Sequence, residues 1–149
     1  MGNKGKRKAP GFAFGYAEAG KGTEAKGRSR KMKSYRDLIV WQKSMRLVTR
    51  IYLITKELPK NEVYGLTSQI RRSSISLPSN IAEGYGRNST NDYIRFLQIA
   101  CGSLYEVQTQ LEICRNLEYL SKDIFNEIYE QSREIERMLN SLIGKLKEK

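Results

Sequence analysis

The side chains in this sequence whose type and spacing suit a chemical task are arginines and lysines, and the task is phosphate binding. Residues 36–95 contain ten basic and five acidic residues, a net charge of +5. Cations spaced along helices bind the phosphates of a nucleic-acid backbone without requiring a particular base sequence. The alternative is that these charges only keep a helix face solvated. The predicted nucleic-acid-binding residues are Arg36, Lys43, Arg46, Arg50, Arg71, Arg72, Arg87 and Arg95.

A line of short, hydrogen-bonding side chains crosses the same region. At about 100° of rotation per residue, these side chains fall in one narrow wedge beside the apolar face of a predicted helix. They are Gln69, Ser76, Asn80 and Glu83. Small polar residues let neighbouring helices approach closely and satisfy one another's hydrogen bonds. The wedge therefore predicts either a structural polar network or a surface that faces another copy of the chain.

The residue types that usually carry catalysis are scarce. The chain has no histidine, which is the usual general base near neutral pH and the commonest metal ligand. Cys101 and Cys114 would lie ~20 Å apart on one predicted helix, too far for a disulfide. The only polar cluster that could shift the pKa of a carboxylate is Glu83 with Arg72 and Asn80. It has no nucleophile or metal ligand beside it. We predict no enzyme activity, no catalytic residue, no metal site and no cofactor.

Four amphipathic helices joined by short loops are predicted to carry these residues. Apolar residues recur at helical spacing over about residues 36–58, 62–83, 90–116 and 122–146. Pro59 ends the first segment, and Ser89 and Ser121 are candidate N-caps for the third and fourth. Helices of similar length with short connections predict an all-α fold, an antiparallel up-down-up-down four-helix bundle over residues 34–149.

The N-terminal segment, residues 1–33, differs in composition from the rest. It holds ten basic and two acidic residues, a net charge of +8, whereas residues 34–149 carry a net charge of only +3. Glycines separate its aromatic residues, so we expect a disordered basic leader. Met32 is an alternative to Met1 as the natural start. No apolar stretch resembles a signal peptide or reaches the ~18 residues of a membrane span, which favours a cytoplasmic protein without membrane partners.

The third predicted helix is apolar around most of its circumference. Outside its heptad stripe it carries Ile94, Phe96, Ile99, Cys101 and Tyr105. A helix of a monomeric four-helix bundle keeps one face in water, and large apolar patches usually mark contact surfaces. We therefore expect a homo-oligomer. The alternative is an unusually deep helix that the chain's own loops cover.

The motif "QIRR…S.PSNIAEG…R.S…Y..FL.IA.GS..E", which begins at Gln69 and follows "SYRDLIVWQKSM", resembles the four-helix-bundle family encoded in intervening sequences of bacterial 23S rRNA genes. The resemblance extends from about residue 34 into the C-terminal helix, although "NLEYLSKD" lacks the glycine-containing turn frequent in that family. It implies a homopentameric ring and no known biochemical activity. The chain is also similar to the accessory protein of diversity-generating retroelements, which implies a reverse transcriptase and nucleic acid as possible partners.

Two functions are compatible with these observations. The first is a non-catalytic RNA- or DNA-binding ring, with RNA favoured, whose cations contact mainly backbone phosphates. The second is a homo-oligomeric protein-interaction scaffold, in which the basic strip of the first helix meets acidic residues of the fourth across a head-to-tail interface. Those acidic residues are Asp123, Glu127, Glu130 and Glu134. No pattern of a recognition module or zinc finger supports sequence-specific base reading.

Overall fold

The computed structural model describes residues 31–149, and every regular element in that part of the chain is helical. Four α-helices are present: α1 (Ile39–Thr55), α2 (Leu66–Tyr85), α3 (Thr90–Asn116) and α4 (Lys122–Lys147). Each helix contacts the next along the chain, and α4 returns to contact α1. The predicted all-α antiparallel four-helix bundle is confirmed. Residues 1–30, most of the predicted leader, lie outside the described residues.

Serine side chains begin the two longer helices. Ser89 Oγ accepts a hydrogen bond from the backbone N–H of Asp92 at 3.1 Å, and Ser121 Oγ accepts one from Ile124 at 3.2 Å. Each bond satisfies an N–H group that the first turn of a helix leaves without a helical partner. The predicted starts of α3 and α4 are confirmed.

The first two helices begin later than the periodicity predicts, because a 3-10 turn precedes each of them. A capping box closes the turn Tyr35–Asp37, and an extended residue separates this turn from α1. A second turn, Lys60–Glu62, follows Pro59 and precedes α2. Arg36 therefore lies in a turn and not on α1, which corrects the predicted strip of cations along the first helix.

A left-handed residue ends α3. Glu118 has a φ of 61°, the N–H of Tyr119 donates to the carbonyl of Cys114 at 2.9 Å, and the N–H of Glu118 donates to Arg115 at 3.0 Å. This pair of bonds is the Schellman motif, whose left-handed position usually holds glycine. A glutamate thus takes the conformation of the missing glycine, and the connection to α4 keeps a regular helix end.

The pair α2 and α3 packs most extensively. At one end of the pair, a Cβ added to Gly84 would lie 2.6 Å from Cβ of Phe96 and 3.2 Å from Cδ2 of Tyr93. The absence of a side chain at Gly84 therefore allows the two helices to approach closely. Fully buried side chains from all four helices fill the core between them: Leu47, Ile51, Ile70, Leu77, Ile81, Leu97, Leu104, Val107, Leu111, Ile128, Ile135 and Leu139.

Candidate nucleic-acid interface

The predicted polar wedge on α2 is only partly a hydrogen-bond network. Ser76 Oγ lies 2.8 Å from Ser103 Oγ on α3, and Asn80 Nδ2 donates to Ser76 Oγ at 3.0 Å. The first bond joins α2 to α3 and the second holds Asn80 against Ser76 within α2, so this part of the wedge has a structural role. The side chains of Gln69 and Glu83 lie outside the network.

Two of the predicted cations form ion pairs between α1 and α4. Lys43 Nζ lies 2.8 Å from Glu134 Oε1, and Arg50 Nη2 lies 3.1 Å from Glu127 Oε2. We call these two ion pairs the α1–α4 seam. Two of the four acidic residues predicted to face a second copy, Glu127 and Glu134, thus meet cations of α1 inside one chain. The side chain of Arg46, in contrast, is exposed and forms no hydrogen bond or ion pair within the described part of the chain.

Three other predicted cations lie beside aromatic rings. The guanidinium groups of Arg87 and Arg95 lie 4.6 Å and 6.0 Å from the ring centre of Phe96. Arg87 also forms an ion pair with Glu83 at 2.8 Å. Arg36 lies over aromatic rings of its own turn and of the first turn of α1. The structure therefore places these three cations apart from the cations of the seam.

The last two predicted cations, Arg71 and Arg72, lie in a cleft of about 570 Å³ between the end of α1 and the start of α2. Lys56 and Lys60, which no sequence motif singles out, line the same cleft. We call this cleft, with its four basic residues, the cationic cleft. Hydroxyl and apolar side chains complete its wall: Tyr52, Thr55, Leu58, Val63, Thr67, Ser68 and Ile75.

The cationic cleft has no acidic residue among the described residues that line it. Glu62, in the adjoining 3-10 turn, accepts a hydrogen bond from the N–H of Leu66 at 3.0 Å and another from the hydroxyl of Tyr119 at 3.3 Å. Its carboxylate is therefore engaged outside the cleft. None of the four cations forms an ion pair within residues 31–149. Their positive potential is available to an anion.

Arg71 differs from the other cations of the cleft because the protein holds its guanidinium in place. Its Nε donates to Thr55 Oγ1 at 2.9 Å, and the guanidinium lies 4.7 Å from the ring centre of Tyr52. Lys56, Lys60 and Arg72 are exposed to solvent. The cleft thus combines one fixed cation with three cations that a ligand in solution can reach.

A weak signal for the two unpredicted lysines exists in the sequence. Lys56 and Lys60 flank the helix-ending Pro59 and so belong to the connection between two helices. Connections bring residues of successive elements together and often carry binding residues. Periodicity along a single helix does not detect this arrangement.

The two cysteine thiols and the possible metal-ligating side chains are not arranged as a catalytic or metal site. Burial raises the pKa of the Cys114 thiol to about 11, and it also raises the pKa of Cys101. Both thiols are buried, and a raised pKa leaves a thiol with less of the reactive thiolate at neutral pH and so makes it a poorer nucleophile. Among residues 31–149, no group of three or more metal-ligating side chains comes together. The absence of enzyme activity stays a prediction.

The fold and the site define a small basic four-helix-bundle protein with a cation-lined cleft. The chain belongs to the 23S rRNA-intervening sequence protein family, whose match covers residues 36–141. Membership in the family confirms the resemblance seen in the sequence. The relation to the accessory protein of diversity-generating retroelements stays a prediction.

A solved structure supports the same family. The chain is similar to a protein with unknown function from the S23 ribosomal protein family of Bacteroides thetaiotaomicron VPI-5482, whose crystal structure was determined at 1.70 Å. The two chains are 33% identical, with a TM-score of 0.66, and the match covers 70% of this chain and 98% of that chain. No curated protein matches the chain. No helix within the described residues is both long and apolar enough to cross a bilayer.

Proposed function

We propose that the protein is a non-catalytic RNA-binding protein whose cationic cleft contacts backbone phosphates. The observation that carries this proposal is the convergence of four cations on one cleft that no acidic residue of the described chain lines. The formal net charge of +11 favours association with a polyanion at any orientation. RNA is the nucleic acid in the description of the family, and it is therefore the polyanion we select.

Phosphate contacts, and not base reading, are the recognition that this cleft supports. Lysine ammonium groups act as point charges, and they bind phosphate wherever it lies along the backbone. The paired cations of the α1–α4 seam contribute less, because a carboxylate within 3.1 Å already neutralises each of them. We therefore expect affinity to depend on the cationic cleft and to vary little with base sequence.

A binding experiment with the double substitution Lys56→Ala and Lys60→Ala tests this proposal. The affinity for a labelled 20-nucleotide single-stranded RNA, measured by fluorescence anisotropy, is expected to fall at least about fivefold at 100 mM salt. The slope of log affinity against log salt is expected to become shallower by about 1.4, because each phosphate contact on a single strand adds about 0.7.

The matched control is the double substitution Lys145→Ala and Lys147→Ala, which removes the same charge near the end of α4. Lys145 lines a groove with Ile39, at the opposite end of α1 from the cationic cleft. This control is expected to change affinity less than about twofold. Equal losses in the two variants, or binding that salt does not weaken, would reject the proposal.

We further propose that the protein is a homo-oligomer, because apolar surface on α3 remains exposed. Tyr105, Ile113 and Leu117 are 44%, 41% and 51% exposed. Together with Gln69 and Leu66 of α2, they line a groove of about 670 Å³. Oligomerisation would place several cationic clefts on one RNA and raise their combined affinity.

Light scattering tests the oligomer. The mass is expected to be a multiple of 17.2 kDa, five-fold if the pentamer implied by the sequence resemblance is correct. Ile113→Glu is expected to shift the protein to monomer, whereas Ile39→Glu, a matched change at an exposed isoleucine elsewhere, is expected to leave the mass unchanged. A monomeric wild-type protein would contradict this proposal.

The scaffold function is the second candidate, and the same exposed groove on α3 favours it. If the oligomer forms and RNA does not bind, the scaffold function replaces RNA binding. A protein partner such as a reverse transcriptase stays a prediction from the sequence resemblance.

A further inference from the structure

The cationic cleft is bordered by more apolar and aromatic surface than phosphate binding requires. Tyr64 is 97% exposed, the largest exposed fraction among the exposed large hydrophobic residues of the described chain. Two residues of the cleft wall, Val63 and Ile75, are 50% and 45% exposed. Exposed aromatic and aliphatic groups gain nothing from a phosphate oxygen, so binding of phosphate alone leaves this surface unused.

The backbone of Tyr64 lies beside the wall of the cleft. Tyr64 directly follows Val63, so their Cα atoms are about 3.8 Å apart across a trans peptide bond. The turn that carries both is tied at two points: the N–H of Gly65 donates to the carbonyl of Glu62 at 3.0 Å, and the carboxylate of Glu62 caps the N–H of Leu66. A hydrogen-bonded turn therefore carries an exposed aromatic residue one position from the cleft wall.

Single-stranded nucleic acid has the chemistry that matches this combination. Its phosphates attract cations, and its unpaired bases expose flat faces that stack on aromatic side chains. A duplex offers the same phosphates, but its bases are stacked on one another and unavailable. A volume of about 570 Å³ lies within the range of roughly 300–1,000 Å³ typical of small-ligand pockets, and so suits a nucleotide-sized group.

We propose that the cationic cleft binds a single-stranded segment of nucleic acid, with its phosphates on Lys56, Lys60 and Arg72 and one unpaired base stacked on the ring of Tyr64. This inference rests on the proposed RNA-binding function. It adds that the ligand is single-stranded and that Tyr64 distinguishes a single strand from a duplex. Stacking is tolerant of sequence because every base has a flat face, which agrees with a site that reads no particular base.

A contact between copies of the chain is the other use of an exposed tyrosine. The apolar residues of the α3 groove lie between α2 and α3, whereas Val63 and Ile75 lie between α1 and α2 beside the cations. An exposed tyrosine in the turn that adjoins a cleft with four cations fits a polyanion better than it fits a second basic chain. We therefore favour nucleic acid as the partner of Tyr64. The mass of the Tyr64→Ala variant tests whether the residue is instead a contact between copies.

The experiment compares wild-type protein, Tyr64→Ala and Tyr64→Phe by fluorescence anisotropy at 100 mM salt. Four labelled 12-nucleotide probes are used: a uridine RNA, its deoxyuridine counterpart, an RNA duplex, and an RNA of equal length with abasic positions. Tyr64→Ala is expected to bind the uridine RNA at least about fivefold more weakly, because base stacking is lost. Tyr64→Phe keeps the ring and is expected to bind like wild type.

The probes separate stacking from charge. Wild-type protein is expected to prefer the uridine RNA to the duplex and to the abasic strand, and Tyr64→Ala is expected to remove this preference. Equal binding of the two uridine strands would extend the ligand to DNA, and the inference about strandedness would stand. A preference for RNA alone would restrict the ligand to RNA and leave the inference in place.

Different results overturn the two proposals. If Lys56→Ala with Lys60→Ala weakens binding and Tyr64→Ala does not, RNA binding stands and the stacking inference is wrong. The inference is also wrong if Tyr64→Ala alters the mass of the oligomer, because the residue is then a contact between copies. If wild-type protein binds none of the four probes, the proposed function itself fails. Because the side chain of Tyr64 is almost fully exposed, both variants are expected to fold.

Discussion

Two regions of α1 and its surroundings carry basic residues, and they differ in what stands opposite the charge. In the α1–α4 seam, Lys43 and Arg50 each meet a glutamate of α4. In the cationic cleft, Lys56, Lys60 and Arg72 meet hydroxyl and apolar groups and no carboxylate of the described chain. Residues of the same type therefore contribute differently: the seam joins two helices, and the cleft keeps its charge for a ligand.

The difference shows that a count of basic residues is a poor guide to a phosphate site. An exposed ion pair adds only about 0.2–1 kcal/mol to stability, yet it removes most of the field that a phosphate would feel. A cation without a neighbouring carboxylate adds little to stability and keeps its full attraction. Substitutions in the seam and in the cleft are therefore expected to affect RNA affinity and stability differently.

The largest difference is expected between Arg72→Ala and Arg50→Ala. Removing Arg72 takes away an unpaired cation of the cleft, and affinity for single-stranded RNA is expected to fall about threefold at 100 mM salt. Removing Arg50 takes away a cation that Glu127 already neutralises, and the loss is expected to be below about 1.5-fold. Anisotropy titrations measure both, and equal losses would show that pairing does not matter.

A smaller effect, of opposite sign, is expected from Glu127→Gln. This change keeps the shape of the side chain and frees the charge of Arg50, so RNA affinity is expected to rise by up to about twofold. The matched control is Glu130→Gln, which makes the same change in net charge at an exposed residue of α4. If both variants gain equally, the gain comes from net charge and not from the release of Arg50.

The smallest effect concerns stability. A double-mutant cycle of Lys43→Ala and Glu134→Ala, measured by urea unfolding, is expected to give a coupling free energy of about 0.2–1 kcal/mol, as for other exposed ion pairs. Lys56→Ala is expected to change the free energy of unfolding by less than about 0.5 kcal/mol, because it is an exposed side chain without an ion pair. A larger cost for Lys56→Ala would give the cleft lysine a structural role.

The sequence by itself determined the elements of the bundle. Apolar periodicity located the four helices, and the hydroxyls of Ser89 and Ser121 marked the starts of two of them, because helix periodicity and capping are local. The family was also readable from the motif that begins at Gln69. Apolar spacing alone places the starts of α1 and α2 too early, because it does not distinguish a preceding 3-10 turn, Tyr35–Asp37 or Lys60–Glu62, from the first turn of the α-helix.

Only the tertiary structure decided which cations are neutralised and which converge. Arg50 and Glu127 are 77 residues apart in sequence and 3.1 Å apart in space, and no pattern along one helix contains that distance. Lys56 and Arg72 share a wall because α2 folds back against α1. Charge interactions depend on the distance between side chains on different helices. The packing of the helices therefore determines the site, whereas local sequence determines the helices.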